Sequence, residues 1–168
     1  GTIHQTTVCG TETEAREFFI ETFRSEFGVE PYRENEARVT VSGRLLRAFF
    51  DTILNAGVYA ESKRVPQHIF DSSNRIAAAY LRGYFSGDGS VDSTGTTVSA
   101  STVSNELKED IVALLTRFGI EARIRHVEPV LLQDQFPEHY SDNDMSMSKP
   151  AYVVHLAGER SVRFSEQI

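Results

Sequence analysis

Two segments of the chain carry apolar residues at the spacing of one face of an α-helix. These residues are Ile20, Phe23 and Phe27 in the first segment and Ile111, Leu114 and Phe118 in the second. Side chains three and four positions apart lie on the same side of a helix, and the glycine after each segment is a common helix terminator. The pattern predicts two amphipathic helices that bury equivalent faces.

Each predicted helix begins where a side chain can bond the free backbone amides of the first turn. Thr11 and Glu14 form a capping box at the start of the first helix. The second helix is predicted to begin near Ser104, with Glu106 in its first turn.

Alternating apolar and polar positions between the helices predict β-strands, in the segments 37–41, 122–125 and 151–156. Residues two apart lie on the same face of a sheet. One face of the predicted strands is apolar and faces the core, whereas the other is polar and basic. The polar positions are Arg38, Thr40, Arg123 and Arg125.

The order of elements repeats along the chain as strand, helix, strand, strand, helix. The segment 27–30 resembles 118–121, and the segment 41–53 resembles 156–168 in the same order. The copies differ by a polar, aperiodic insertion between Val130 and Lys149, which predicts an exposed loop. One more helix, from Asn74 to about Ser86, precedes the second copy and has no counterpart before the first. We therefore predict an α+β domain over 1–168 with halves at 1–73 and 74–168, cut from a longer protein so that its first helix is missing and its last is truncated.

Composition limits the class of protein. The chain has 168 residues, 40% of them hydrophobic, and one cysteine, Cys9. No apolar run approaches the roughly 18 residues of a membrane span, and no secretory signal is present, so we expect a soluble protein in the cytoplasm. The net charge of −7 argues against a DNA partner. An abundance of acidic residues with only three lysines is also what an archaeal halophile would favour. The positions of individual arginines are therefore a better guide to a DNA partner than the net charge.

The segment 74–91 carries the candidate chemistry. Ala79, Gly83 and Gly87 are four positions apart and form a stripe of small residues, against which a second helix can pack closely. Asp88 follows at the C-terminal end of the predicted helix, where the helix dipole disfavours an anion. A divalent cation bound by Asp88 and a nearby carbonyl such as that of Gly87 would relieve this, whereas the plainer alternative is a turn formed by Asp88 and Gly89.

The string Leu-Arg-Gly-Tyr-Phe-Ser-Gly-Asp-Gly at 81–89 resembles the LAGLIDADG signature of homing endonucleases, as found inside inteins. Leu81, Gly83, Asp88 and Gly89 match the signature, and Ser86 replaces its first aspartate. Upstream, the segment 63–66 resembles the Lys-x-x-Pro element of this family, with Lys63 as its lysine.

This resemblance implies two αββαββα halves whose antiparallel sheets straddle double-stranded DNA. It implies that the stripe Ala79, Gly83 and Gly87 packs on another motif helix, and that Asp88 holds Mg²⁺ for phosphodiester hydrolysis while Lys63 acts on the scissile phosphate or its attacking water. The first motif is absent from this chain, so one half of the catalytic acid pair would come from self-association or from a motif helix upstream. DNA contacts are expected from the polar sheet faces, at Arg38, Thr40, Thr97, Ser99, Arg123 and Arg125.

Two functions remain open at this point. One is a site-specific double-strand endonuclease; the other is a DNA-binding or structural remnant that has lost cleavage. An intact acid on the upstream motif would distinguish them.

Overall fold

A computed structural model of the chain describes residues 5–9, 13–57, 59–131 and 148–168. The chain divides into two compact units, Gly1–Ile53 and Leu54–Ile168. The boundary between the two units therefore lies after residue 53, whereas the sequence predicted it after residue 73. Val65 and Ile69, which lie before residue 74, are buried in the core of the second unit, and this apolar contact assigns the segment 54–73 to that unit.

The first unit is a three-stranded antiparallel sheet with helices. Strand β1 is Gln5–Cys9, helix α1 is Thr13–Phe27, β2 is Tyr32–Asn35, β3 is Arg38–Ser42 and α2 is Arg44–Ala48, followed by a π-helical turn at Phe49–Ile53. The strand order is β1-β3-β2. Phe23, Val41 and Leu46 form its buried cluster. Thr11, the predicted cap of α1, lies outside the described residues.

The predicted apolar stripe of α1 is only partly buried. Ile20 and Phe23 are 5% and 6% exposed, as predicted, but Phe27 in the last turn is 37% exposed. Its ring still lies 5.2 Å from the ring of Phe23 and 5.7 Å from that of Phe49. Phe27 therefore packs against other aromatic rings at the end of α1 without being fully buried.

The second unit is a four-stranded antiparallel sheet with the order β4-β5-β7-β6, packed against helices. Its elements are a 3₁₀ turn Ala60–Ser62, α3 Gln67–Phe70, α4 Asn74–Asp88, β4 Gly89–Val91, β5 Thr97–Thr102, α5 Asn105–Arg117, β6 Arg123–Val127, β7 Ala151–Ala157 and α6 Glu159–Gln167. The core-facing residues of the sheet, Ala100, Val154 and Leu156, contact the buried side of α4 and α5.

The internal repeat is present in the topology of both units. In each unit, a helix connects the first strand to the second. The third strand lies between these two strands and pairs with both, and another helix follows it. The order β1-β3-β2 of the first unit thus corresponds to β5-β7-β6 of the second, and both sheets are antiparallel. The α+β fold predicted from the repeat is confirmed.

Two predicted features of the second copy can be located. Ser104 caps α5, because its hydroxyl accepts a hydrogen bond from the amide of Leu107 at 3.1 Å. Residues 132–147 of the predicted insertion lie outside the described residues. Its two ends are joined, since the amide of Ser148 donates to the carbonyl of Val130 at 2.8 Å.

Among the described ranges, none of the helices has the length and apolar character needed to cross a membrane.

Candidate active site and nucleic-acid interface

Helix α4 places a carboxylate at the junction of helix and sheet. Asp88 is the last residue of α4, and β4 begins at the next residue, Gly89. A β-carbon at Gly89 would lie 2.2 Å from the carbonyl oxygen of Phe85, so only glycine allows the strand to leave the helix this closely. The plainer alternative, a separate turn at Asp88 and Gly89, is wrong because the helix passes directly into the strand.

Asp88 is exposed and forms no hydrogen bond or ion pair within the described part of the chain. Its acceptor oxygens are therefore directed to solvent. The last four carbonyls of a helix also lack partners inside that helix, and Gly87 belongs to this group. The helix end therefore presents several oxygen acceptors together, with a carboxylate among them.

Two tyrosines of the same helix lie near this carboxylate. Burial, followed by the charges of Asp110 and Asp88, raises the pKa of Tyr80 to about 12. Burial and the charge of Asp88 also raise the pKa of Tyr84 well above its usual range, and its buried hydroxyl has no hydrogen-bond partner among the described residues. Both phenols stay protonated near neutral pH, so neither adds negative charge beside Asp88.

Lys63 lies in the same cavity as Asp88. The cavity has a volume of about 220 Å³ and is also lined by Ala60, Ser101, Thr102, Val103 and Ala151. The structure thus brings together the two residues to which the resemblance assigned catalytic roles, one from the segment before α3 and one from the end of α4. Ion pairing between Lys149 and Glu61 joins the start of β7 to the 3₁₀ turn beside this cavity.

The backbone around Lys63 is held by two side chains of α5 and its cap. The hydroxyl of Ser104 donates to the carbonyl of Lys63 at 2.7 Å, and Asp110 accepts from the amide of Val65 at 3.0 Å. Asp110 also pairs with the guanidinium of Arg64, whose pKa is raised mainly by this hydrogen bond. Sequence reasoning missed these contacts, although Asp110 on the apolar face of α5 is a signal that could have been noticed.

A row of polar residues crosses one face of the second sheet on all four strands. Ser90, Ser99, His155 and Arg123 lie opposite one another in register on β4, β5, β7 and β6. The hydroxyls of Ser90 and Ser99 are 3.1 Å apart. Arg123 is exposed, and Ser99 and His155 are half-buried. Hydroxyl, imidazole and guanidinium groups therefore form one continuous row.

This polar face leads into the cavity. Ser101 is two residues from Ser99 on the same face of β5, and it lines the cavity with Lys63 and Asp88. Across the sheet, Ser101 and Arg125 lie on either side of Val153. The sheet face and the cavity therefore form one surface.

Residues 75–168 match the family model of the LAGLIDADG-like domain. The chain belongs to this family. The match contains the motif helix α4, which we call the LAGLIDADG helix, and all four strands of the second sheet.

Relatives of the chain include large polymerase subunits. The DNA polymerase II large subunit of Haloquadratum walsbyi is 34% identical over 162 residues, which cover 90% of this chain and 7% of that protein. The subunit of the same name from Thermococcus kodakarensis is 32% identical over 183 residues, covering 99% of this chain and 10% of that protein. The chain therefore spans a tenth or less of the length of these relatives.

Solved structures share the fold. Mesophilic variants of the homing endonuclease I-DmoI match with a TM-score of 0.63 and 13% identity over 98% of this chain and 79% of that chain. I-DmoI in complex with DNA and Mn matches with a TM-score of 0.63 and 13% identity, over 98% of this chain and 80% of that chain. The chain has the LAGLIDADG homing endonuclease fold.

The small-residue stripe of the LAGLIDADG helix is open. Ala79, Gly83 and Gly87 are exposed, and a β-carbon added at either glycine would meet nothing beyond the backbone of its own helix within 4 Å in the described part of the chain. The flanking Tyr80 and Tyr84 are not part of this stripe, because they pack against the core of the second unit.

The predicted DNA-contacting residues of the second unit share one face. Arg123 and Arg125 are exposed and Thr97 and Ser99 are half-buried, all on the polar side of the sheet. His155, which the sequence analysis did not select, lies between Ser99 and Arg123 on this face.

In the first unit, Arg38 is exposed but Thr40 is fully buried. The prediction that Thr40 lies on an exposed face is wrong. It sits on the central strand β3, and its hydroxyl is 2.8 Å from that of Thr7 on the neighbouring strand β1. A buried hydroxyl with a partner of this kind stabilises the sheet and is not available to a ligand.

Proposed function

We propose that this chain is the DNA-binding and DNA-cleaving part of a site-specific double-strand homing endonuclease carried by an intein. One observation carries the proposal: Lys63 and Asp88 line a single cavity, and Ser101 connects that cavity to the polar face of the second sheet. A cation and a carboxylate beside a surface of hydrogen-bond donors are the groups that phosphodiester hydrolysis on a duplex requires.

Asp88 would hold a divalent cation, with the carbonyl of Gly87 as an additional oxygen ligand. Mg²⁺ usually takes one or two protein carboxylates and fills its other positions with water and substrate phosphate, which suits a single exposed carboxylate. When bound, such an ion would supply Lewis-acid polarisation of the phosphate and a more readily ionised water. The neighbouring I-DmoI structures, which are described as complexes with DNA and Mn or in the presence of Mg, support the choice of a divalent ion.

Lys63 would act on the phosphate itself. An ammonium group offers three donors and a positive charge, and both are stabilised beside phosphate oxygens. Held at the cavity wall, Lys63 can orient the scissile phosphate or its attacking water. The two side chains then have different tasks at one reacting centre.

Binding would come from the polar sheet face. Arg123 and Arg125 supply charge for phosphates, while Thr97, Ser99 and His155 supply hydrogen bonds to phosphates or base edges. With a net charge of −7, the chain as a whole repels DNA, so this local face has to supply the attraction. In the first unit, Arg38 is the candidate contact.

A second acid would complete the catalytic pair. We infer that the open stripe of the LAGLIDADG helix receives another motif helix, from a second copy or from elsewhere in the complete protein, and that this helix brings the second carboxylate. A catalytically inactive DNA-binding remnant is the alternative, and it requires that this second carboxylate be missing.

The test uses the complete protein that contains this sequence. Duplexes bound from a randomised library are incubated with Mg²⁺ and the cleaved molecules are sequenced. We expect the wild type to cut one sequence and Asp88→Asn to bind it equally well without cutting. Asp71→Asn, which changes an exposed aspartate just after α3, is the matched control and should still cut. Binding without cutting by the wild type would support the inactive remnant, and cutting by Asp88→Asn would contradict the proposal.

A further inference from the structure

Lys63 is followed by a backbone segment that is tethered on the side of α5. Its carbonyl accepts the hydroxyl of Ser104 at 2.7 Å, and two residues later the amide of Val65 donates to Asp110 at 3.0 Å. Ser104 is 0% exposed and Asp110 is 8% exposed. Both tethers are therefore shielded from water.

The tethers also determine the side on which Lys63 emerges. The backbone of Lys63 is extended, with φ −60° and ψ 142°. Neighbouring side chains of such a segment point in different directions. Arg64 is directed to Asp110, with Nη2 and Nε 3.2 and 3.3 Å from the two carboxylate oxygens, whereas Lys63 lines the cavity.

Asp110 is an unusual choice for its position if stability alone matters. Its neighbours on the buried face of α5 are Leu107, Ile111 and Leu114, all at most 4% exposed. Burying a carboxylate is costly, and replacing a buried ion pair with apolar side chains is often neutral or stabilising. What an apolar residue could not do is bind the amide of Val65 and the guanidinium of Arg64 together.

We propose that Ser104 and Asp110 are positioning residues that hold Lys63 in the cavity opposite Asp88, a role that rests on the proposed function. Neither side chain lines the cavity. They act through the backbone of residues 63–65. Losing a tether should slow cleavage and leave DNA affinity unchanged, because the sheet face that binds DNA is not altered.

The variants are Ser104→Ala and Asp110→Asn, made in the complete protein. Ser161→Ala is the matched control: its hydroxyl is also buried, lies at the start of a helix and donates to a backbone carbonyl, that of Thr96, at 2.7 Å. A displaced catalytic group costs on the order of 10- to 100-fold in rate, so we expect that loss in kcat for both tether variants. KM should be unchanged, Ser161→Ala should stay within about twofold, and Ser104→Thr, which keeps the hydroxyl, should restore the rate.

A double-mutant cycle separates positioning from general damage. If the tethers act through Lys63, Ser104→Ala and Asp110→Asn will cause no further loss in the Lys63→Met protein. Ser161→Ala should have the same small effect in both backgrounds. Additive losses from the tether variants in the Lys63→Met background would overturn the proposal.

Amide hydrogen exchange tests the tethers without any cleavage. Exchange at residues 63–65 should rise in Ser104→Ala and Asp110→Asn and not in Ser161→Ala, since local opening follows the loss of local bonds. Unchanged exchange in that segment overturns the positioning role whether or not DNA is cut. Absence of cleavage by the wild type overturns the proposed function instead, and that result is known before any variant is compared.

Discussion

Gly89 lies so close to the last turn of the LAGLIDADG helix that a β-carbon there would be 2.2 Å from the carbonyl oxygen of Phe85. The φ of Gly89 is −97°, a value that any residue can adopt. The glycine is therefore needed for the close approach and not for an unusual backbone angle. It allows Asp88 to stand at the point where the helix meets the sheet.

We expect Gly89→Ala to destabilise the protein by about 1–3 kcal/mol, the usual cost of forcing extra volume into a packed site. The contact is with backbone, which cannot move aside as a flexible side chain would. Gly87→Ala, two residues earlier at the end of the LAGLIDADG helix, meets nothing outside that helix within 4 Å and is the matched control when this chain is measured without a partner helix. It should be neutral or stabilising by up to about 1 kcal/mol from helix propensity. Chemical denaturation measures both, and equal stabilities would show that the strand relaxes away from the helix.

Local patterns predicted the elements of the second unit well. The helix predicted from Asn74 to about Ser86 runs to Asp88, the strand predicted over 151–156 is Ala151–Ala157, and Ser104 caps α5 as expected. Each of these depends on residues close in sequence, where periodicity and capping chemistry are decisive.

The structure departs from the sequence predictions where contacts between residues far apart in the sequence determine the outcome. Alternation placed Thr40 on the polar face of β3 but could not show that Thr7 of a neighbouring strand would cover it. Asp110 interrupts an apolar stripe, and its partners Arg64 and Val65 lie far away in sequence. The meeting of Lys63 and Asp88 in one cavity followed from the family resemblance, because no spacing rule connects the two.

Asp92 is expected to make stability depend on pH. Hydrogen bonds from the side chain of Thr94 and the backbone of Thr97 and Thr96 hold the pKa of Asp92 below its usual value of 3.8. A lowered folded-state pKa means that the ionised group stabilises the fold above about pH 4 and that this contribution is lost as pH falls through the folded pKa. The stability difference between the wild type and Asp92→Ala should therefore be full at pH 7 and shrink below pH 4.

Urea denaturation at a series of pH values measures this difference. Asp71→Ala, at an exposed aspartate outside the β4–β5 connection, is the comparison variant. A difference between the wild type and Asp92→Ala that stays constant from pH 7 to pH 2.5 would show that the hydrogen bonds to Asp92 do not favour its ionised form.

Arg123 and Arg125 are expected to carry phosphate contacts. Each contact contributes about one unit to the slope of log affinity against log salt concentration, so Arg123→Ala with Arg125→Ala should lower the slope by about two. Affinity at low salt should fall, while thermal stability should hardly change because both side chains are exposed.

The control for this double variant is Arg160→Ala with Arg163→Ala on α6, which removes the same charge from a helix. Fluorescence anisotropy with a labelled duplex gives the affinity across salt concentrations. An equal loss of slope in both double variants would mean that net charge, and not the sheet face, attracts the DNA.

The stability change on substituting Gly83 shows whether another helix packs on the stripe of the LAGLIDADG helix. Gly83 is exposed with open space around it, so in the absence of a partner helix both Gly83→Ala and Gly83→Leu should stabilise the helix by about 0.5–1 kcal/mol. If another motif helix packs on the stripe in the complete protein, Leu must hold the two backbones apart. Gly83→Leu should then lower stability and abolish cleavage, with Ala giving a smaller loss.

Thr116→Leu, at an exposed position of α5, adds an apolar side chain to a different helix and is the control. Denaturation, sedimentation velocity and cleavage are compared for the three variants in the complete protein. Loss of a dimer with Gly83→Leu identifies a second copy as the partner, whereas a monomer that loses stability identifies a helix of the same chain. A gain in stability with unchanged sedimentation and cleavage would show that nothing packs on this stripe, and the second catalytic carboxylate would then have to reach Asp88 by another route.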